Sequence, residues 1–113
     1  MASPTSPITA PTPMPRQFDT SVIAVQAKLA AAWNKLGVLA EKAGRKAEAH
    51  ERYDRALAAN PKLADALFNR AKLALLERRF DDAAKDAATL TDAHPDYASG
   101  WYLRGRAAAA RGD

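Results

Sequence analysis

By type, His50 and His94 are the residues best suited to metal ligation or proton transfer near neutral pH, and they stand 44 residues apart. Neither lies at ligand spacing from a carboxylate cluster, and no HExxH occurs, so zinc chemistry has no frame. His50 falls inside a predicted helix and His94 in a predicted helix-ending turn, and both are expected at the surface. Asp81-Asp82 could in principle supply a paired acid and base. At the start of a predicted helix, however, they read as first-turn acid complementing the helix dipole. There is no nucleophile elbow and no glycine-rich phosphate loop. Arg111-Gly112-Asp113 matches a cell-adhesion tripeptide, but its glycine has a simpler explanation as a turn. The residue types therefore predict no enzyme, no cofactor and no metal.

The elements that would position any site are set by bulk composition. Cysteine is absent from the 113 residues, which excludes disulfides and thiolate metal sites. The first fifteen residues lack a basic segment followed by an apolar one, so no secretory signal is read, and the expected location is cytoplasmic. No apolar run is long enough to span a bilayer. Seventeen basic and thirteen acidic residues give a net charge of +4, with both signs interspersed. Nucleic-acid binding would call for a clustered basic stripe with stacking aromatics, so no nucleic-acid partner is expected. Much of the apolar content is alanine, which buries little area per side chain, so a core must come from close helix packing. The alanine- and arginine-heavy composition points to a GC-rich bacterial genome.

Residues 1–18 form a Pro/Ser/Thr-rich leader whose prolines at 4, 7, 11, 13 and 15 oppose helix, and it is expected to be disordered. Pro4-Thr5-Ser6-Pro7 is formally PxxP but has no basic neighbour. From Asp19 the pattern becomes helical, with Asp19, Thr20 and Ser21 acceptable as N-caps. Val22, Val25, Leu29, Trp33, Leu36 and Ala40 recur at three- and four-residue steps and predict one face of a helix over residues 21–43. Further helices are predicted over 47–59, 62–77, 81–93 and 97–110, separated by Gly44, Asn60-Pro61, Arg78-Arg79 and His94-Pro95. Short turns between helices of this length imply antiparallel neighbours.

Self-similarity fixes the arrangement. Pro61 and Pro95 are 34 residues apart, as are Ala49 and Ala83, and Arg70 and Arg104. Gly37, Ala71 and Gly105 form a series at that step, as do Gly44, Arg78 and Gly112, while Trp33 and Trp101 stand two periods apart. In this frame the sequence resembles the tetratricopeptide repeat. The family's W-x2-L-G appears as Trp33, Leu36 and Gly37, followed by Ala49, Tyr53, Ala56 and Pro61. A second repeat keeps Ala71, Ala83 and Pro95 and carries Phe80 at the aromatic turn position. It departs at Leu67, Arg70, Ala87 and Leu90. A third opens with Trp101 and Gly105. The resemblance implies an all-α fold of antiparallel helix-turn-helix repeats stacked as a right-handed α-solenoid of about five helices. The TPR domain is placed at 19–113, with repeats at 30–63 and 64–97 and a half-repeat at 98–113.

The same resemblance implies function. In the family the first helix of each repeat lines a concave groove that holds an extended peptide or a partner helix. By position this groove would display Asn34, Lys35, Val38 and Lys42, then Asp65, Phe68, Asn69, Lys72 and Leu76, then Tyr102, Leu103 and Arg106. Asn69 matches the asparagine that pairs with ligand backbone in peptide-binding relatives. Lys72 and Arg106, one period apart, point to a protein or peptide ligand bearing acidic or C-terminal carboxylate groups, with an apolar residue for Phe68 and Tyr102. The family's chaperone-tail clamp is not matched, because Asn34, Val38, Ser99 and Leu103 replace its basic and amide residues. The resulting expectation is a protein–protein interaction scaffold, cut as a fragment from a larger protein. The extra turns from Ser21 to Leu29 either cap the solenoid or present Val22, Val25 and Leu29 to another surface. Two alternatives are a homo-oligomer joined through the exposed ends, Val22 to Leu29 and Trp101 to Ala110, where Trp101 lacks a covering helix, and a regulatory domain attached to a catalytic one.

Overall fold

The computed structural model describes residues 20–112. Five helices follow in order: α1 (Thr20–Lys42), α2 (Lys46–Ala59), α3 (Ala64–Leu76), α4 (Phe80–Ala93) and α5 (Ala98–Arg111). No strand occurs among the described residues. Consecutive helices pack as antiparallel hairpins, α1 on α2 and α3 on α4, and α5 then packs on α4. The architecture is an all-α repeat solenoid. The expected leader, and Asp19 as a cap, lie outside the described residues.

Backbone chemistry at the turns explains the helix ends. After α1, Gly44 adopts φ +79°, its N–H donates to the Glu41 carbonyl at 3.0 Å, and the Arg45 N–H donates to that of Ala40 at 2.9 Å. This is a Schellman closure, which uses a left-handed residue to satisfy carbonyls the helix leaves open. One period later Arg78 does the same at φ +63°, with Arg79 N–H donating to Ala74 O at 2.8 Å. Gly112 has the same left-handed backbone at φ +87°. The non-glycine at 78 bears the steric cost of a left-handed L-residue, about 1–2 kcal/mol. After α2 the chain instead turns at Asn60-Pro61, where Asn60 Oδ1 accepts from Lys62 N–H and the Asn60 carbonyl accepts from Leu63 N–H. That turn uses residues 62 and 63, so α3 starts at Ala64, two residues later than the sequence pattern predicts.

The core is small-residue packing around a few large side chains. Tyr53, Leu73 and Leu90 are fully buried among Ala49, Ala56, Ala66, Ala71, Ala83 and Ala87. Gly37 is the closest approach: a Cβ there would stand 2.4 Å from Cε1 of Tyr53. Trp33 is half-buried, packed beside the cluster of Ala56, Leu57 and Leu67, with the guanidinium groups of Arg52 and Arg55 5.6 and 4.9 Å from its ring centroid. Leu67, which stands where a second repeat would carry tryptophan, is buried in that same cluster.

The apolar face expected on α1 is only partly buried. Ala30, Gly37 and Ala40 are buried, whereas Val22, Val25, Leu29 and Leu36 are exposed. The apolar arc is wider than α2 and α3 can cover, and those helices pack against one edge of it. Leu36, expected as a structural repeat residue, is 44 % exposed on the other edge.

The glycine positions give a direct test. Gly37→Ala should destabilise the chain by about 1–3 kcal/mol, because its methyl group overpacks a ring that cannot retreat. Gly105 has open space around its would-be Cβ, so Gly105→Ala should stabilise by about 0.5–1 kcal/mol through helix propensity alone. Urea unfolding of both variants checks the contrast, and shifts of the same sign would refute the packing account.

Candidate peptide groove

The first helices of the repeats, α1, α3 and α5, carry the expected binding residues. Asn34 on α1 and Asn69 on α3 meet directly: Asn69 Nδ2 donates to Asn34 Oδ1 at 3.0 Å. Asn34 is buried and Asn69 half-buried. The pair joins two repeats and leaves Asn69 one N–H and its carbonyl oxygen for other partners. Beside it, Val38, Glu41, Lys42, Tyr53, Asn69 and Lys72 line a depression of about 250 Å³. Four of these residues, Val38, Lys42, Asn69 and Lys72, were expected from the sequence.

Two cation–aromatic pairs repeat along the same series. Lys72 Nζ lies 5.2 Å from the Phe68 ring centroid, and Arg106 Cζ lies 5.7 Å from that of Tyr102. Both pairs are i,i+4 on their helices, the spacing that brings side chains together. Arg106 also donates to the Tyr102 hydroxyl at 3.1 Å. Phe68 packs obliquely against Tyr97, whose hydroxyl donates to Asp65. Lys35 is exposed but does not line the depression. Leu103 does not display its side chain at all: it is 3 % exposed and packs with Ala71 and Ala87. One residue beyond Tyr102, the helix has turned it into the bundle.

The depression has an acidic member that sequence reading missed. The Tyr53 hydroxyl donates to Glu41 Oε1 at 2.7 Å. Burial, then that hydrogen bond and the carboxylate charge, push the Tyr53 phenol well above its ordinary range. The repeat pattern marks Tyr53 only as an aromatic, and the Glu41 partner lies twelve residues away on another helix.

A second cleft of about 290 Å³ lies among α2, α3 and α4, lined by residues including His50, Asp54, Arg70, Lys85 and Asp86. It holds an ion network. Arg70 makes two bonds to the buried Asp86, at 2.7 and 2.8 Å, and a third to Asp54 at 2.9 Å. Those carboxylates hold the guanidinium more firmly protonated than usual, against the opposing effect of burial. The histidines are more engaged than a surface reading allows. His50 Nε2 donates to Glu77 at 2.6 Å, which draws the Glu77 carboxyl below its ordinary range, and His94 Nε2 donates to the Lys62 carbonyl at 2.6 Å. Both histidines sit where consecutive repeats meet. Among the described residues no group of three His, Cys, Asp or Glu is placed to hold a metal. No described helix is long and apolar enough to cross a membrane.

At the far end, Trp101 is 49 % exposed, its indole N–H donates to the Pro95 carbonyl at 2.8 Å, and Arg104 stacks 5.5 Å from its ring. The indole is therefore partly covered from within the chain.

Comparison with known proteins adds one match. A family model described as tetratricopeptide repeat matches residues 34–88 and 77–113. No curated protein matches closely enough to count as a relative.

Two outcomes test this geometry. Above about pH 10 the unfolded chain's tyrosine ionises while buried Tyr53 stays protonated, so stability falls as pH rises. Urea titrations from pH 9 to 11 should show a shallower decline for Tyr53→Phe than for the unsubstituted chain; parallel curves would reject the buried phenol. Arg70→Ala leaves Asp86 buried and unpaired and should cost about 3–5 kcal/mol, whereas Arg70→Met with Asp86→Leu should recover most of that loss.

Proposed function

Because the chain belongs to the tetratricopeptide-repeat family over residues 34–113, a family of protein-interaction modules, we propose that it is a non-catalytic scaffold that holds a peptide or partner helix along α1, α3 and α5. The observation that carries this reading is the depression beside the Asn34–Asn69 pair, bordered by Lys42 and Lys72. Its ligand presents carboxylates, because Lys42, Lys72 and Arg106 are exposed cations and none is tied to a carboxylate among the described residues. The remaining N–H and carbonyl of Asn69 complement a peptide unit, which has one acceptor and one donor.

Phe68 and Tyr102 add the apolar component. Each ring already has a cation beside it, so an acidic side chain with an adjacent apolar one meets the ammonium or guanidinium and the ring together. Glu41 sets a limit on this preference: it disfavours an anion directly over Tyr53, so carboxylates are directed towards Lys42 and Lys72 at the borders.

Lys72→Glu combined with Arg106→Glu should weaken capture of acidic peptides from a random peptide library by at least about tenfold, since each exposed pair is worth up to about 1 kcal/mol and reversal adds repulsion. Circular dichroism should be unchanged, because neither residue is in the core. Undiminished recovery of acidic peptides would reject the basic groove.

A further inference from the structure

The edge of α1 that α2 and α3 leave open is an ordered stripe. Val22, Val25, Leu29, Ala32, Leu36 and Leu39 follow one another at alternating steps of three and four residues, the 3.5-residue period of helix-on-helix seams. All six are exposed, Leu39 at 61 % and Val25 at 56 %.

The other repeats show what kind of element belongs there. A shift of 34 residues carries Leu29, Ala32, Leu36 and Leu39 onto Leu63, Ala66, Arg70 and Leu73, and a second shift onto Tyr97, Gly100, Arg104 and Ala107. In the first set, Leu63 and Ala66 pack with Ala56 and Leu57, Arg70 bonds Asp54, and Leu73 packs with Ala49 and Tyr53, partners that are all on α2. Arg70 also makes its two shorter bonds to Asp86 of α4, and Leu73 shares its cluster with Ala40 of α1. In the second set, Gly100 meets Leu90 and Thr91, Arg104 donates to Thr91, and Ala107 packs with Ala83. Those partners are on α4, while Tyr97 meets Phe68 and Asp65 of α3. The stripe on α1 is thus the register position that takes the preceding helix elsewhere in this solenoid, and it runs on to Val22, beyond the repeat's own length. Among the described residues no helix stands before it.

Charge selects among occupants. Lys28, Lys35 and Lys42 flank the stripe at seven-residue intervals, exposed and without an ion pair to a described residue. Two antiparallel copies of α1 would set these lysine rows against each other. A parallel pair would set them against Trp33 and Ala40, which already pack within their own repeat. The single acidic residue of α1, Glu41, is taken by Tyr53. Within residues 1–19 there is one acid, Asp19, and no proline-free stretch of helix length.

We propose that this stripe docks an amphipathic helix of another protein, apolar at 3.5-residue spacing and acidic along the flank that meets Lys28, Lys35 and Lys42, set against α1 as α2 is against α3. This surface shares Lys42 with the border of the groove, but the proposal does not rest on binding there.

The test uses the full chain and two synthetic three-heptad peptides, both with leucine at the seam positions, one flanked by glutamate and the other by lysine. By fluorescence anisotropy the glutamate peptide should bind saturably, and the lysine peptide about tenfold more weakly or less, as expected for a few exposed ion pairs acting together. Lys28→Glu with Lys35→Glu should invert that preference; Lys42 is left intact because it also borders the depression. Leu36→Glu should abolish binding of both peptides without lowering the unfolding midpoint, since Leu36 is exposed. Lys72→Glu with Arg106→Glu should leave the affinity unchanged, which separates this surface from the groove. Equal affinity for the two peptides, or no saturable binding, would overturn the proposal. So would a dimer of the chain alone in sedimentation equilibrium that Leu36→Glu abolishes, because the stripe would then belong to a second copy.

Discussion

At Gly37 a single added carbon would stand 2.4 Å from the ring of Tyr53, and the rest of the solenoid is built on the space that carbon does not occupy. With glycine there, α2 lies against α1 at the distance set by the thickness of an aromatic ring. The ring is wholly buried, and its hydroxyl reaches past the contact to Glu41, one turn further along α1. One side chain therefore fixes two quantities: the ring sets how far apart the helices lie, and the hydroxyl sets how α2 is rotated. Tyr53 also packs with Leu73 of α3, so the angle chosen in the first hairpin is passed directly to the second. Because interiors are close-packed, a small change at this point could not be absorbed locally.

The second hairpin meets the same requirement with different atoms. Ala71 stands where Gly37 does and Ala87 where Tyr53 does. Two small residues facing each other leave a gap, and Leu103 fills it from α5. The hydroxyl-to-carboxylate tie between helices is replaced by the two-point bond of Arg70 with Asp86. Either tie fixes rotation, but their energetics differ. A hydrogen bond to a charged group contributes about 1.5–3 kcal/mol. A buried ion pair contributes little net stability and is expensive mainly to break. The second hairpin is thus set in rotation by an ion pair, and at Ala71 and Ala87 it depends on α5 for volume.

These substitutions explain which features were legible in the sequence. The 34-residue series located the turns for two local reasons. Gly44, Arg78 and Gly112 all adopt positive φ, and the prolines after Asn60 and His94 keep those residues out of helical backbone and so end α2 and α4. Helix ends followed to within two residues. Burial was harder to read. Periodicity shows that Val22, Leu29, Trp33 and Leu36 lie near one another around α1, but which edge of the arc is covered depends on where α2 and α3 sit. Leu103 was misplaced for a related reason: counting positions onto the groove assumes that each repeat fills its own core, and here one repeat borrows from the next. Arg70 was visible as a departure from the family pattern, and its recurrence as Arg104 was a signal that the position had a polar partner. That partner, Asp86 for one and Thr91 for the other, could be named only with the helices in place.

The groove residues that the structure brings together are those the repeat pattern leaves free, and this has a mechanical consequence. Lys42 and Lys72 are exposed and can change without disturbing the contacts that set helix spacing, whereas Val38 packs against the Tyr53 cluster; under the proposed function, charge preference would be separable from the fold. Asn69 is different, because it lines the depression and also joins α3 to α1 through Asn34. In a solenoid each repeat contacts only its neighbours, so the angle between repeats is governed by a short list of local interactions. Here that list includes His50 with Glu77 and Arg70 with Asp54 on one side, and the asparagine pair on the other. Under the proposed function, a ligand bonded to Asn69 would bear on the joint between repeats as well as on the surface, which would couple groove binding to the curvature of the solenoid.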